Sequence, residues 1–207
     1  NGQYLLTGTQ GTVVQWKLII NSAQNVTLQN IRSLIHPGSI RQVRVSSEGR
    51  WIGTVSEDGK ARLWNGSTGQ LVRVFQATSL SQIQFSPDDR TFAIADSEAV
   101  QLWDIGSGAL RQRLAMDLNQ LRQESSQGLS NRISNLSFSS NGQFLAVLYE
   151  PLAYADGSLV QVWNLRTGTA IGILPQDQPL STLQFSPDNL YLVTGGTDGT
   201  VRFWSSQ

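Results

Sequence analysis

The sequence is poor in the side chains that most catalytic and metal sites require. It contains no cysteine and only one histidine and one methionine in 207 residues, and 14% of its residues are charged. The lack of cysteine excludes disulfides and thiolate chemistry and leaves the redox compartment undetermined. A zinc site would lack its usual ligands, because zinc in proteins is bound mainly by cysteine and histidine. We therefore expect neither a metal site nor a cofactor.

Charge is balanced as well as scarce. Lysine plus arginine number 15, aspartate plus glutamate also number 15, and the formal net charge is +0. No basic run is visible, and nucleic-acid-binding domains depend on basic patches. No apolar run approaches the roughly 18 residues that a membrane-spanning helix needs. The sequence thus predicts neither a nucleic-acid partner nor a membrane span.

A catalytic triad is poorly supported too. Such a triad needs a nucleophile, a base and an orienting acid within hydrogen-bond distance, and His36 is the only histidine that could act as base. The acids that precede glycine, such as Asp58 before Gly59, fit hairpin turns, because Asp-Gly favours the tight turns that match strand twist. None has the spacing of a calcium-binding loop. We expect no catalytic residues and no enzymatic activity.

What the sequence does contain is a recurring tryptophan. Five of its six tryptophans end segments in which apolar and polar residues alternate, a pattern that predicts half-buried strands. These are Trp16, Trp64, Trp103, Trp163 and Trp204. Their spacing is near forty residues with longer gaps, which is typical of units with several strands, such as the blades of a β-propeller.

Two turn sequences recur in phase with the tryptophans. The strand that opens a unit ends in Phe-Ser-Pro-Asp at residues 85–88 and 185–188, and a second turn after the tryptophan ends at Gly69, Gly108 and Gly168. Proline, aspartate and glycine suit tight turns, because they preset φ, bond their own backbone or accept positive φ. These turn sequences also favour a bacterial source.

Together these features resemble the WD-repeat β-propeller family over nearly the whole chain. The repeats are degenerate: the family's aspartate, six residues before tryptophan, is present as Asp58 and Asp198 but is Gln10 in the first unit and Ser97 in the third. A quinoprotein-type propeller also uses a Thr-Gly turn, but there the tryptophan follows the turn, whereas here it precedes it. The resemblance implies an all-β propeller of four-stranded blades.

The units are predicted at residues 1–35, 36–76, 77–115, 116–175 and 176–207. The first appears without its innermost strand and the fifth without its outermost, so we expect about four and a half blades of a larger, seven-bladed ring, with further chain upstream. In the second unit the predicted strands are 40–46, 51–56, 60–64 and 70–75.

Three stretches interrupt the repeat. Residues 18–30 are predicted to lengthen the connection between the third and fourth strands of unit one. Residues 115–131 link units three and four, with one or two helical turns expected over 117–123, and residues 150–157 lengthen a turn of unit four. In propellers of this type the last two would emerge on the same face of one blade.

These two insertions supply a candidate partner-binding surface. Interfaces favour aromatic residues, methionine and arginine and depend on a few anchors, and long loops in compact folds are usually functional or disordered. The candidate residues are Met116, Leu118, Leu121, Arg122, Tyr149, Glu150, Pro151, Leu152 and Tyr154. The alternative, that the two loops merely pack on each other, stays open.

The resemblance also implies a structural network around the only histidine. In the family a histidine bonds an aspartate and a hydroxyl group, and the network ends at the indole N–H of tryptophan. The matching residues are His36, Thr54, Asp58 and Trp64, with Ser56 as the alternate hydroxyl. The implied function is a non-catalytic scaffold that binds a protein or peptide on its face. The alternative is a sensor or targeting propeller fused to an upstream enzymatic or nucleotide-hydrolysing domain.

Overall fold

The structure is a computed structural model, and the residues that it describes form β-strands without a helix among them. It describes residues 4–20, 25–76, 82–97, 99–115, 129–151 and 157–205. Their eighteen strands make five antiparallel sheets, each with its strands paired in chain order. The chain forms two compact units, residues 1–77 and 78–207. The all-β, blade-like fold predicted from the sequence is confirmed.

The first unit contains two sheets, blade one and blade two. Blade one has three strands: β1 (Tyr4–Gly8), β2 (Thr12–Ile20) and β3 (Val26–Ile35). Blade two has four strands: β4 (Ile40–Val45), β5 (Trp51–Ser56), β6 (Lys60–Asn65) and β7 (Leu71–Gln76). The strands of blade two begin and end within one residue of the predicted bounds, because turn-forming residues mark each boundary.

The second unit contains blades three, four and five. Blade three consists of β8 (Gln82–Phe85), β9 (Thr91–Ala95), β10 (Ala99–Asp104) and β11 (Leu110–Ala115). Blade four consists of β12 (Leu129–Phe138), β13 (Phe144–Pro151), β14 (Leu159–Asn164) and β15 (Thr169–Pro175). Blade five consists of β16 (Leu180–Phe185), β17 (Tyr191–Gly196) and β18 (Val201–Ser205).

Apolar side chains fill the space between neighbouring sheets within each unit. In the first unit Val13 and Leu34 of blade one pack with Ile52 and Trp64 of blade two. In the second unit blades three and four share one core cluster, and blades four and five share another. Each fully buried leucine, isoleucine or valine contributes about 2 kcal/mol of hydrophobic stabilisation. The alternation seen in the sequence is therefore what holds neighbouring blades of the same unit together.

A β-bulge precedes the tryptophan in four of the five sheets. The strand that carries the tryptophan pairs with the strand that follows it, and the register of this pairing shifts immediately before Trp16, Trp64, Trp103 and Trp163. In blade two, Leu63 pairs with Arg73 and Trp64 pairs with Leu71, so Val72 is the extra residue. A bulge bends its strand and increases the local twist. The repeat therefore includes a backbone irregularity as well as a side chain.

The first interruption of the repeat is a longer hairpin rather than a longer connection. Strands β2 and β3 continue through residues 18–20 and 26–30, with Leu18 opposite Leu28 and Ile20 opposite Val26. Residues 21–24 lie outside the described part of the chain. The extension forms strands because both segments are rich in β-branched and other apolar residues, which favour pleated structure.

Blade four is also longer than predicted. Strand β12 begins at Leu129 and β13 ends at Pro151, and these two residues pair with each other. Parts of both predicted insertions, residues 129–131 and 150–151, therefore belong to the sheet. The remaining parts, including the helical turns expected over 117–123, lie outside the described residues.

Candidate functional site

Blade two contains a buried hydrogen-bonded chain that ends at its tryptophan. The hydroxyl of Thr54 accepts the indole N–H of Trp64 at 2.9 Å and lies 2.8 Å from Nε2 of His36. Nδ1 of His36 lies 3.0 Å from the carbonyl oxygen of Leu34. A carbonyl oxygen only accepts, so Nδ1 carries the proton and Nε2 accepts the proton of the Thr54 hydroxyl. The structure thus joins three of the four residues of the implied network.

The fourth residue, Asp58, is bonded elsewhere. Its carboxylate accepts hydrogen bonds from the Arg62 guanidinium and from the Ser56 hydroxyl, and also from the backbone N–H of Lys60 at 3.3 Å. The hydrogen bond from Arg62 is the main reason that the pKa of Asp58 lies far below its usual range. The implied bond between Asp58 and His36 is therefore replaced by an ion pair, because a guanidinium binds a carboxylate through two parallel bonds.

Burial sets the protonation state of this site. His36 is buried, and the loss of solvation lowers its pKa; the nearby guanidinium of Arg62 acts in the same direction, while the bond to the Leu34 carbonyl opposes it. In the neutral ring, Nδ1 donates to the Leu34 carbonyl and Nε2 accepts from the Thr54 hydroxyl, so both neighbours are bonded without a buried charge. With both ring nitrogens engaged, His36 is a structural residue in this geometry and has no free nitrogen to act as a general base.

The bond between tryptophan and a hydroxyl recurs in two other blades. Trp16 donates to Thr7 at 2.8 Å in blade one, and Trp204 donates to Thr194 at 3.0 Å in blade five. In each case the threonine lies two positions beyond the residue that pairs with the tryptophan. A threonine ten or nine residues before the tryptophan marks this bond in the sequence of all three blades, although the network was expected only in blade two.

Blades three and four have an apolar residue where these three blades have threonine. The positions are Ile94 and Val147. In blade four a polar contact lies two residues from Val147, where the hydroxyl of Tyr149 donates to the side-chain oxygen of Gln161 at 3.2 Å. Burial raises the pKa of Tyr149, so the phenol stays protonated.

A second polar contact recurs at the hairpin between the second and third strands. In blade five Arg202 pairs with Asp198 at 3.2 Å, as Arg62 does with an aspartate in blade two. In blade three Gln101 donates to Asp96 at 2.9 Å. The basic or amide side chain always lies two positions before tryptophan. The family spacing predicts Ser97 at the acidic position of blade three, but in the structure Asp96 occupies that position.

The candidate partner-binding residues fall into two groups. Six lie outside the described part of the chain: Met116, Leu118, Leu121, Arg122, Leu152 and Tyr154. Of the remainder, Pro151 ends β13, and Glu150 forms an ion pair with Arg132, whose Nε lies 3.5 Å from a Glu150 carboxylate oxygen. Both side chains of this pair retain exposure to solvent.

Tyr149 must be withdrawn from the candidate surface. It lies on β13 opposite Leu159, is 1% exposed and belongs to the core shared by blades three and four. Its side chain is therefore not accessible to a partner. Tyr149 shares a face of the strand with Val147 and Leu145, and that alternation places it in the core.

Three grooves occupy equivalent places between consecutive blades. Each lies between the outer strands of one blade and the first turn of the next. Their volumes are about 460 Å³ between blades one and two, 400 Å³ between blades three and four, and 570 Å³ between blades four and five. All three fall in the size range of ligand pockets.

One residue on the last strand of the preceding blade determines how wide and how polar each groove is. In blade one this is Arg32, whose Cδ would lie 2.6 Å from a Cβ on Gly69 of blade two. In blade three it is Gln112, which lies against Gly168 of blade four in the same way. In blade four the position is Gly172, which has open space around it. The third groove is consequently wider and is lined mainly by apolar residues: Phe144, Val162, Ile171, Leu174, Leu190 and Phe203.

Where the structure describes the chain, no three histidine, cysteine, aspartate or glutamate side chains are grouped so that they could hold a metal ion. In those same ranges no helix is long and apolar enough to cross a membrane.

The geometry defines the class of protein. Consecutive antiparallel meanders, each with a tryptophan on the strand before its last hairpin or edge, are blades of the propeller type. Within the two units, Trp64, Trp163 and Trp204 pack against the preceding sheet. Residues 28–65 and 168–205 match the model of the family described as "WD domain, G-beta repeat". These two segments match the WD repeat, and the resemblance of the chain to the WD-repeat family is confirmed.

Three similar proteins are consistent with this resemblance. Eukaryotic translation initiation factor 3 subunit I of Aspergillus oryzae is 27% identical over 177 residues, which cover 83% of this chain and 51% of the relative. Periodic tryptophan protein 2 homolog of Dictyostelium discoideum is 26% identical over 82% of this chain and 17% of the relative. Guanine nucleotide-binding protein subunit beta of Arabidopsis thaliana is 26% identical over 82% of this chain and 44% of the relative.

Two facts follow from these relatives. The chain spans about half the length of the initiation-factor subunits that it matches. The named relatives are eukaryotic, so they give no support to the bacterial source that the turn sequences favoured.

Proposed function

We propose that this chain is a non-catalytic scaffold that binds a protein or peptide. The observation that carries the proposal is its similarity to proteins that are named as subunits, an initiation-factor subunit and a G-protein beta subunit. A subunit functions by contacting other proteins. Propeller blades suit that role, because their sheets form a rigid support from which turns and strand ends project.

The chemistry of the described residues supports a binding role over a catalytic one. The only histidine bonds Thr54 and a backbone carbonyl, and the ion pairs at Asp58 and Asp198 each join a hairpin turn to the strand that follows it. These polar groups are occupied in bonds within the fold, so none of them is a free base. The relatives lend no support to the alternative of a sensor propeller fused to an enzymatic domain.

We place the partner-binding surface at the extended end of blade four. Strands β12 and β13 continue to the pair Leu129–Pro151, and the exposed ion pair Arg132–Glu150 lies beside that end. The candidate anchors Leu121 and Tyr154 fall in the segments that adjoin these strands in the sequence. Apolar anchors surrounded by charged residues are the usual composition of a protein interface.

The test uses the full-length protein with an affinity tag, expressed in its own cells. The double variant Leu121→Ala/Tyr154→Ala should lose co-purified partners by about tenfold or more, which corresponds to the loss of an anchor residue, while its melting temperature stays unchanged. The matched control is Arg50→Ala, an exposed residue on a turn of blade two, which should retain the partners. Retained partners with a lowered melting temperature in the double variant would show that the two segments only pack on each other.

A further inference from the structure

The turn after the third strand of blade two contains a reactive dipeptide, Asn65 followed by Gly66. Glycine has no side chain to obstruct the approach of its backbone nitrogen to the side-chain Cγ of the preceding asparagine. When that nitrogen loses its proton and bonds to Cγ, ammonia leaves and a cyclic succinimide forms. Water then opens the ring to aspartate or to isoaspartate. We propose that Asn65 is a self-modification site that the fold keeps closed and that becomes reactive only when blade two opens.

Hydrogen bonds hold both reacting groups. The side-chain oxygen of Asn65 accepts the backbone N–H groups of Ser67 and Thr68, each at 2.9 Å. The N–H of Gly66 donates to the carbonyl oxygen of Arg50 at 2.8 Å. The reaction requires Gly66 to lose this proton and the Asn65 side chain to turn toward the Gly66 nitrogen. Both requirements break bonds that the native turn makes.

Packing prevents a local rearrangement of the turn. Gly66 is buried, and a Cβ at this position would collide with the carbonyl oxygen of Gly49 and lie 3.2 Å from the carbonyl carbon of Arg50. The backbone of Asn65 is also fixed, because it pairs with Trp51 across the sheet. The reacting atoms therefore meet only after this turn separates from the first turn of the same blade.

Blade three shows which product fits this turn. Asp104 occupies the same place as Asn65, accepts the N–H of Ser107 at 2.7 Å, and is followed by Ile105, whose N–H donates to Arg90 at 2.9 Å. An aspartate therefore makes the bonds that the turn requires. Isoaspartate differs, because the main chain then runs through the former side chain and gains one carbon at a point where no space exists.

Blade four supplies a matched control within the same molecule. Asn164 accepts the N–H of Arg166 at 2.9 Å, and the next residue, Leu165, donates its N–H to Gln143 at 2.9 Å. The hydrogen bonds repeat those of Asn65, but a leucine side chain obstructs the attacking nitrogen. Asn164 should therefore react slowly whether the chain is folded or unfolded.

A second asparagine–glycine pair has less protection. Asn141 is exposed on the first turn of blade four, and the N–H of Gly142 donates to Ser139 within that turn at 2.8 Å. A Cβ on Gly142 would meet nothing within 4 Å. Opening of the turn alone exposes this pair, so Asn141 should react faster than Asn65 in the folded protein.

The rates are measured on the full-length protein by mass spectrometry of its peptides after incubation at neutral pH, in buffer and in urea. In urea Asn65 and Asn141 should convert at similar rates and Asn164 much more slowly. In buffer Asn65 should convert at least about tenfold more slowly than in urea, because reaction waits for a rare opening, and more slowly than Asn141. Equal rates for Asn65 in buffer and in urea would overturn the proposal.

The products supply an independent measurement. The variant Asn65→Asp should fold with an unchanged melting temperature, as Asp104 in the equivalent turn indicates. Molecules that carry isoaspartate at position 65, separated after incubation in urea, should fail to regain the melting temperature of the unmodified protein on refolding. If they refold as well as Asn65→Asp, the inferred lack of space at Gly66 is wrong.

Discussion

At the scale of single residues, His36 makes the stability of blade two depend on pH. Burial lowers its pKa, and the neutral ring alone fits between the Thr54 hydroxyl and the Leu34 carbonyl. The unfolded chain takes up a proton near the usual histidine pKa of about 6.5, whereas the folded chain resists it until lower pH. Stability is therefore fully present above about pH 6.5 and falls as the pH drops toward the folded-state pKa.

The expected result is a decline in the free energy of unfolding of up to about 1.4 kcal/mol per pH unit below that point. The measurement is urea unfolding at several pH values for the native protein and for His36→Gln, which lacks the titrating ring. Asp58 does not interfere, because its lowered pKa produces a loss only below the usual aspartate pKa of about 4. If the free energy of unfolding changes with pH by the same slope in both proteins, His36 does not titrate in this range.

Only part of the site could be predicted from the sequence. The resemblance to the WD-repeat family implies a network of His36, Thr54 and Trp64, and the residue types and their spacing are compatible with it. They did not place Asp58, since its choice of Arg62 depends on which side chains meet across a hairpin. Tyr149 was misplaced for the opposite reason: its chemistry suits an interface, but its position on β13 turns it into the core.

At the scale of one blade, the ion pair in blade two predicts unequal effects of mutation. Arg62 is 6% exposed, so Asp58→Ala would leave a buried guanidinium without its carboxylate, a change that costs about 3 kcal/mol. Ser97→Ala in blade three should cost no more than about 0.5 kcal/mol, as expected away from such features. Urea unfolding of the two variants measures the difference.

A double variant separates the charge from the packing. In Asp58→Ala/Arg62→Met the unpaired charge is gone, so much of the lost stability should return. Asp96→Ala is a further comparison, since Asp96 rather than Ser97 accepts the bond from Gln101. Small and equal losses in Asp58→Ala and Ser97→Ala would contradict the importance of the ion pair.

The strands were predictable where turn residues bound them and less so elsewhere. The limits of blade two follow from its Asn-Gly, Asp-Gly and Thr-Gly turns. The extensions of β2, β3 and β12 are not bounded by such turn residues, so the sequence predicts their extra residues as parts of the connections between strands. A count of residues between tryptophans shows that a unit is longer, but not whether the added residues pair.

At the scale of the whole molecule, one face of blade five is apolar and exposed. Val201 is 62% and Phe203 is 67% exposed, and Tyr191 packs edge-on against Phe203. The opposite face, with Leu192 and Trp204, packs on blade four. Contiguous apolar surface of this kind is a site of association. We expect the isolated 207-residue chain to self-associate.

The substitution Phe203→Glu should reduce that association, because it places a charge in the middle of the patch. The control is Leu110→Glu, which changes an exposed leucine in blade three and should leave association unchanged. Light scattering over a range of protein concentrations measures both. A single monomeric species in the unaltered chain would contradict this expectation.

The bulge beside the tryptophan, which four of the five sheets contain, has a consequence for insertion and deletion. Residues on either side of Val72 pair with β6 in registers that differ by one. Removing Val72 would leave Leu71 opposite Trp64 and Arg73 opposite Leu63 as consecutive pairs, so every other residue of β7 would keep its partner and its face, and only the local bend would be lost. A missing codon at another position of β7 would shift the pairing by one residue and move part of the strand's inner side chains to its outer face. Modules exchanged between blades should therefore be joined in exposed turns, where a missing residue shortens a loop and leaves the pairing unchanged.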